Sequence, residues 1–380
     1  MLLDNTENPY KTTYHINLET AIGNTREVYL SELVEAIRYV PLETTTEYMI
    51  GEKSVKVKPC AEYIFISEHG KTIGVFDLDG NFIRTIGNIG KGPKEYNFDY
   101  DFWPDETTRN VYVSNVNIKG ITAFSFDGKY IEDIIPAEHS MTFVPLGNDK
   151  FISWTWQQKT HDEKLFRLFF HDNQGRVFDR VFEPVKEYDF SHGISIMSPH
   201  FTYAPIGVIY NSWEEDQIMR AQEDGSFETA LTWNLGKYKI PFEPSSDYKR
   251  YKREKHKYIM DLNAWESHDN WYIKYHYKNR LNLAVLDKTS EDFYIVANPD
   301  TAQDGLYNDI DGGPSFWPFW YSDKGKRFFE LFQAIDLIEG DLAQKPGLEI
   351  KNPEAALAFN EMVAKLNENS NPVLMIVEMK

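Results

Sequence analysis

Gly87, Gly90 and Gly92 run with Lys91 and Lys94 into Tyr96, a composition that could cradle a phosphate on backbone amides. Phosphate-holding loops of that kind lead straight into a helix, whose N-terminal amides and dipole hold the anion. Here Pro93 interrupts and another strand-like run follows. The stretch therefore reads as a crossover between two sheets, its glycines open to positive φ and to close backbone approach. Gly90, Lys91, Gly92, Lys94 and Tyr96 are its candidate ligand contacts.

Other chemistry-bearing residues are scattered. Histidines stand at 139, 161, 171, 192, 200, 256, 268 and 276 without a paired helical metal motif, so catalytic zinc is not expected. No serine sits in Gly-x-Ser-x-Gly, which removes local support for that hydrolase chemistry. Cys60, the one cysteine, excludes an internal disulfide and reads as a small buried or turn residue. Single carboxylates from separate segments can still converge on a metal. Glu43, Asp99, Asp101 and Asp309 lie near inner or crossover segments and could either join such a set or simply be solvated loop residues; no cofactor is expected, calcium or another divalent metal being the alternative.

Tryptophan is the more informative excess. Trp154 and Trp156, and Trp317 and Trp320, come in close pairs, while Trp103, Trp213, Trp233, Trp265 and Trp271 are spread out. Most should fill the core. One or two left exposed could stack on sugar rings or a peptide, which makes Trp154, Trp156, Trp317 and Trp320 candidate ligand-binding residues.

The elements that position these residues are strands. At 380 residues, with 42% hydrophobic and 15% aromatic side chains, the chain can bury a large pleated core in one domain. A net charge of −19 argues against nucleic acid, whose backbone needs a basic surface. No segment approaches the roughly 20 apolar residues of a transmembrane helix. The organising signal is an apolar strand, an Asp-Gly turn and a second strand opening on an aromatic residue. Phe76–Ile83 aligns with Phe124–Ile131, their glycines 48 residues apart. Further copies turn at Gly175, at Gly225, at Asp287–Ser290 and at Asp323–Gly325. With strands upstream of each turn, the unit becomes a four-stranded meander of blade size. Two-residue hairpins with glycine at positive φ are expected at the turns.

Six turns imply an all-β fold: a six-bladed β-propeller of four-stranded antiparallel blades, with a C-terminal helix and strand closing the ring. Residues 1–30 read as an N-terminal extension and 31–380 as the propeller. An exposed insertion covers 237–257, its basic run a solvated helical loop or a site for an acidic ligand. Asn352 and Pro353 open a helix over 353–368. Val373–Met379 is expected as a strand that pairs with Ile37–Leu42 and protects the ring's free edges.

The stretch FDLDGNFIRTIGNIGKGPKEY at 76–96, with NVYVS at 110–114, resembles an NHL-type repeat. Together with YVPLET at 39–44 and NPVLMIVEMK at 371–380, it resembles the six-bladed β-propellers abundant in Bacteroidetes. The resemblance spans residues 31–380 and implies an extracytoplasmic protein, periplasmic or at the cell surface, kin to lipoproteins. Neither a signal peptide nor a lipobox cysteine is seen in Met1–Tyr10. The function expected is a binding or scaffold propeller, recognising carbohydrate or a protein on one face. The alternative is a metal-dependent lyase or hydrolase with its ligands around the central channel.

Overall fold

The structure is a computed structural model that describes residues 13–51, 55–97, 101–182, 200–211, 216–222, 225–241, 248–297, 305–318, 322–340 and 347–380. Six small sheets form the blades of a propeller. Blade one comprises Lys56–Pro59, Tyr63–Ser67, Ile73–Asp77 and Phe82–Ile86, and blade two Phe102–Asp105, Asn110–Asn115, Gly120–Ser125 and Tyr130–Ile134. Blade three comprises Thr142–Gly147, Lys150–Lys159, Leu165–Asp172 and Val177–Phe182. Blade four is built from His200–Tyr203, Val208–Asn211, Gln217–Ala221 and Phe227–Asn234, and blade five from Met260–Glu266, Asn270–Tyr277, Arg280–Asp287 and Phe293–Val296. The first strand of each blade is innermost; those of blades one, two and three touch in sequence, and that of blade four meets that of blade six.

The turns between third and fourth strands explain the repeat. In blade one, Asp77 Oδ1 accepts the amides of Asp79 and Asn81, both at 2.9 Å, and Gly80 takes φ 90°. A register shift follows between Val75 and Phe76. This is a three-residue loop with a bulge at the left-handed position, not the two-residue hairpin predicted from Asp-Gly. Blade five has no glycine there, and Glu291 adopts φ 57° in its place.

The sixth turn corrects the repeat as read from sequence. Asp323–Gly325 joins the first and second strands of blade six, Ser322–Asp323 and Arg327–Phe332. Blade six has no third-to-fourth hairpin because those strands come from opposite ends of the chain. Val373–Met379 pairs with Arg327–Phe332 on one side and with Val34–Pro41 on the other. The ring is thus closed by both ends. Two blades also gain a parallel fifth strand, Tyr14–Asn17 on blade four and Thr25–Arg26 on blade five, both from within the expected extension.

Apolar clusters fill the wedges between neighbouring blades. Trp271 packs with Ile218 and Ala230 between blades four and five, Trp154 with Phe170 and Tyr210 beside blade four, and Trp317 with Tyr272 and Val377 between blades five and six. The C-terminal helix runs Pro353–Val363, capped by Asn352, whose side chain accepts the Ala355 amide at 3.0 Å. It ends before residue 368 because Lys365 and Leu366 bond back three residues rather than four, tightening the last turn. The insertion contains the helix Tyr248–Glu254 and the 3₁₀ turn Lys255–Lys257.

Candidate binding site at the channel mouth

Strand alternation places the first-to-second turns of all six blades, and the third-to-fourth turns of blades one to five, on one face, here called the upper face. Where the inner strands approach it, residues far apart in sequence converge. Lys58 of blade one donates from Nζ to Asp101 Oδ1 at 2.7 Å and lies 3.1 Å from the centroid of the Trp103 ring of blade two. Trp103 in turn meets Tyr203 of blade four edge-on, with centroids 5.1 Å apart. Tyr203 donates its hydroxyl to the Pro145 carbonyl of blade three at 3.3 Å. Four blades are tied together through one buried lysine and two aromatic rings.

Beside Tyr203 a cavity of about 410 Å³ opens, walled by Pro145 and Leu146, by Tyr203–Val208 and Gln222, and by Lys324 of blade six. Its blade-six wall is fitted closely. A Cβ on Gly325 would come within 2.7 Å of the Pro205 ring and of the Glu266 carbonyl. The lining combines a rigid aromatic ring and prolines with one amide and one exposed ammonium, a mixture suited to a ring-shaped ligand carrying polar substituents.

The Lys58–Asp101 pair beside Trp103 is largely out of water. Burial pushes the Lys58 amine down to about 7, opposed by Asp101 and reinforced by Lys56. Burial would raise the Asp101 carboxyl, yet Lys56 and Lys58 hold it below the usual carboxylate range. The Tyr203 hydroxyl is pushed well up, first by burial and then by Asp105 and Glu106. A lysine titrating near neutrality is suited to proton transfer. At 6% exposure, this one is packed against Asp101 and Trp103.

The residues singled out from sequence are dispersed. Trp154 and Trp317 are buried at 1% and 0% exposure, Trp156 is 42% exposed, and Trp320 lies outside the described residues. Of the carboxylates, Glu43 accepts the Phe82 amide, Asp309 is held by Ser31 and Lys351, and Asp101 pairs with Lys58. Asp99 lies outside the described residues. Among the described residues no three His, Cys, Asp or Glu side chains gather as a metal site. Ser153 does meet His171 Nε2 at 2.9 Å, but both are wholly buried inside blade three, with Ser140 as the next partner. Cys60 is a buried free thiol, raised by that burial.

In the glycine loop, Tyr96 is buried; its hydroxyl donates to the Ile86 carbonyl at 2.9 Å and accepts the Ile73 amide at 3.1 Å. The Glu95 carboxylate accepts the Gly92 amide at 2.7 Å, and Asn117 donates to the Gly90 carbonyl at 2.8 Å. Positive φ falls on Gly87 and Lys94, at 57° and 67°, and not on Gly90 or Gly92 as expected. Two features were missed altogether. One is Tyr203, whose neighbours come from three other blades. The other is a buried network in which Glu266 accepts from Arg220 at 2.6 Å and from Lys288 at 2.9 Å.

Residues 13–378 match a family described as a domain of unknown function, DUF4934. The chain belongs to the DUF4934 family. Among solved structures, this DUF4934 chain resembles a candidate exported protein of Bacteroides fragilis, at 14% identity and a TM-score of 0.71, over 97% of this chain and 100% of that one. It also resembles a member of the duf4221 family from Bacteroides vulgatus, at 12% identity and a TM-score of 0.52, over 92% and 97% of the two chains. These likenesses establish the propeller fold. No match was found among curated proteins. No helix among the described residues is long and apolar enough to cross a membrane.

Proposed function

We propose that this protein is an extracytoplasmic binding propeller that takes a carbohydrate ligand in the upper-face cavity at the channel mouth. The observation that carries the reading is the cavity's construction. Tyr203 forms one wall and is held in place by Trp103 and Pro145, while Gln222 and Lys324 supply polar atoms on other walls. A sugar ring offers an apolar C–H face to the aromatic ring and hydroxyls to the amide and ammonium. The ammonium favours a sugar that also carries an acid. Export is supported by the name of the Bacteroides fragilis structure that shares the fold. Trp156, exposed on blade three, offers a second stacking surface.

Calorimetry against a panel of neutral and acidic mono- and disaccharides tests this. Lys324→Ala should weaken an acidic sugar about tenfold while leaving the melting temperature unchanged, and Tyr203→Ala should abolish binding of either kind. A protein that binds none of the panel at millimolar concentration would remove the carbohydrate reading. Stoichiometric retained calcium or zinc in the purified protein would support the metal-dependent alternative instead.

A further inference from the structure

Between Lys237 and Tyr258 the chain carries eight lysines and arginines against three acids, within a protein of net charge −19. This connection leads from the fourth strand of blade four to the first strand of blade five and therefore lies on the lower face, opposite the cavity. Its geometry is specific. Tyr238 and Tyr277 pack edge-on, with centroids 5.2 Å apart, and each carries a lysine over a ring, Lys237 at 5.1 Å and Lys278 at 5.2 Å. The Lys278 amide donates to the His256 carbonyl at 3.0 Å, which fixes the 3₁₀ turn Lys255–Lys257 beside the tyrosine pair. Lys237, Lys255, Lys257 and Lys278 are exposed, and both tyrosines are half-buried.

We propose that this lower-face ridge binds an acidic polysaccharide, a flexible chain bearing recurrent carboxylate or sulfate groups. Lysines resting on aromatic rings present their charge from a restricted set of positions, and the half-buried tyrosines beside them offer faces for sugar C–H groups. A membrane surface fits less well. None of the exposed large apolar side chains among the described residues lies in the ridge, so it lacks the greasy face of an interfacial helix. A flat anionic bilayer would also draw the strongly acidic body to within a Debye length, about 8–10 Å, where it is repelled. Rigid duplex nucleic acid meets the same repulsion along its length, whereas a flexible glycan touches the ridge alone.

The test uses the full chain with polygalacturonate as probe, and pullulan as the uncharged control. Binding to polygalacturonate but not to pullulan is expected, weakening steeply with added salt as counterions are released. The variant carrying Lys237→Ala, Lys255→Ala, Lys257→Ala and Lys278→Ala should lose at least tenfold in affinity with its melting temperature retained. Tyr203→Ala should leave this binding intact, so failure of the cavity reading and failure of this one are distinguishable. Absence of polygalacturonate binding at low salt, or undiminished binding by the quadruple variant, overturns the proposal. So does tighter binding to a DNA duplex or to phosphatidylglycerol vesicles that is lost in the same variant.

Discussion

The Glu95 carboxylate accepts the Gly92 amide and fills the space beside Gly90, where an added Cβ would collide with it. The loop that looks from sequence like an anion cradle thus places an anion of its own on the Gly92 amide.

A substitution series follows from that contact. Gly90→Ala displaces only the end of the flexible Glu95 side chain and should cost no more than about 1 kcal/mol, the bond to the Gly92 amide, so adding Glu95→Ala should change little further. Lys91→Ala and Lys94→Ala together should stay within about 0.5 kcal/mol, since they alter exposed side chains. Lys94→Gly should stabilise by about 1 kcal/mol, because Lys94 holds φ 67°. Urea denaturation separates these cases. A phosphate or sulfate affinity that vanished in the lysine pair at unchanged stability would restore the cradle.

Lys58 gives a pH signature. Its amine is pushed down to about 7 in the folded protein, while the unfolded chain keeps that proton up to about 10.4. Between these values the unfolded state binds more protons, so this group's contribution to stability rises with pH above about 7. Asp101 acts at the other end. Its carboxyl is held low, and the stability it contributes is lost as pH falls through its folded value. Urea midpoints from pH 7 to 9 should rise in the parent and flatten in Lys58→Met. A parent curve that falls across this range, or an unchanged slope in the variant, would refute the assignment.

Glu266 holds two buried cations from neighbouring blades, Arg220 of blade four and Lys288 of blade five. Glu266→Gln would remove the carboxylate that both cations share and should cost about 3–5 kcal/mol. Replacing all three by apolar residues of similar volume should cost much less. Chemical denaturation of the two variants checks the contrast; equal losses would show that the network's worth is in packing rather than charge.

The blades were legible because their signals are local. Asp77 and Gly80 announce a turn within five residues, and Asn352 and Pro353 announce a helix start. Blade six misled for the same reason. Asp323–Gly325 carries the local turn chemistry, but its rank within the blade depends on strands from residues 34–41 and 373–379, which no local pattern links to it. The channel mouth was not legible. Lys58, Trp103 and Tyr203, linked side chain to side chain, and Lys324 on the cavity wall come from four blades, and nothing in their neighbouring residues announces those links. Trp154 and Trp156 show the limit within one strand: two residues apart, they would share a sheet face, yet one is buried and one exposed. Their rings touch, with centroids 5.4 Å apart, so exposure differs rather than the face, and it rises where the pairing register shifts between Trp154 and Gln158.

Closure of the ring offers the last test. Val373–Met379 is the third strand of blade six, bonded on both sides, so deleting Asn371–Lys380 strips partners from Arg327–Phe332 and Val34–Pro41 together. Aggregation or loss of cooperative unfolding is expected, from two rows of unpaired backbone groups. Because such a truncation removes a whole central strand, Asn371 supplies the finer probe. Its buried amide accepts the Ile50 amide at 2.8 Å and donates to the Glu43 and Tyr48 carbonyls at 2.7 and 3.2 Å. Asn371→Ala orphans three backbone groups where the two ends meet and should cost about 2–4 kcal/mol in all. Asn371→Asp keeps the acceptor but turns a carboxylate toward two carbonyls. It should therefore be the less stable at neutral pH and should regain stability on acidification, as its proton restores one donor. Melting curves for both variants between pH 4 and pH 7 decide the matter; an alanine variant as stable as the parent would show that the closure does not depend on this side chain.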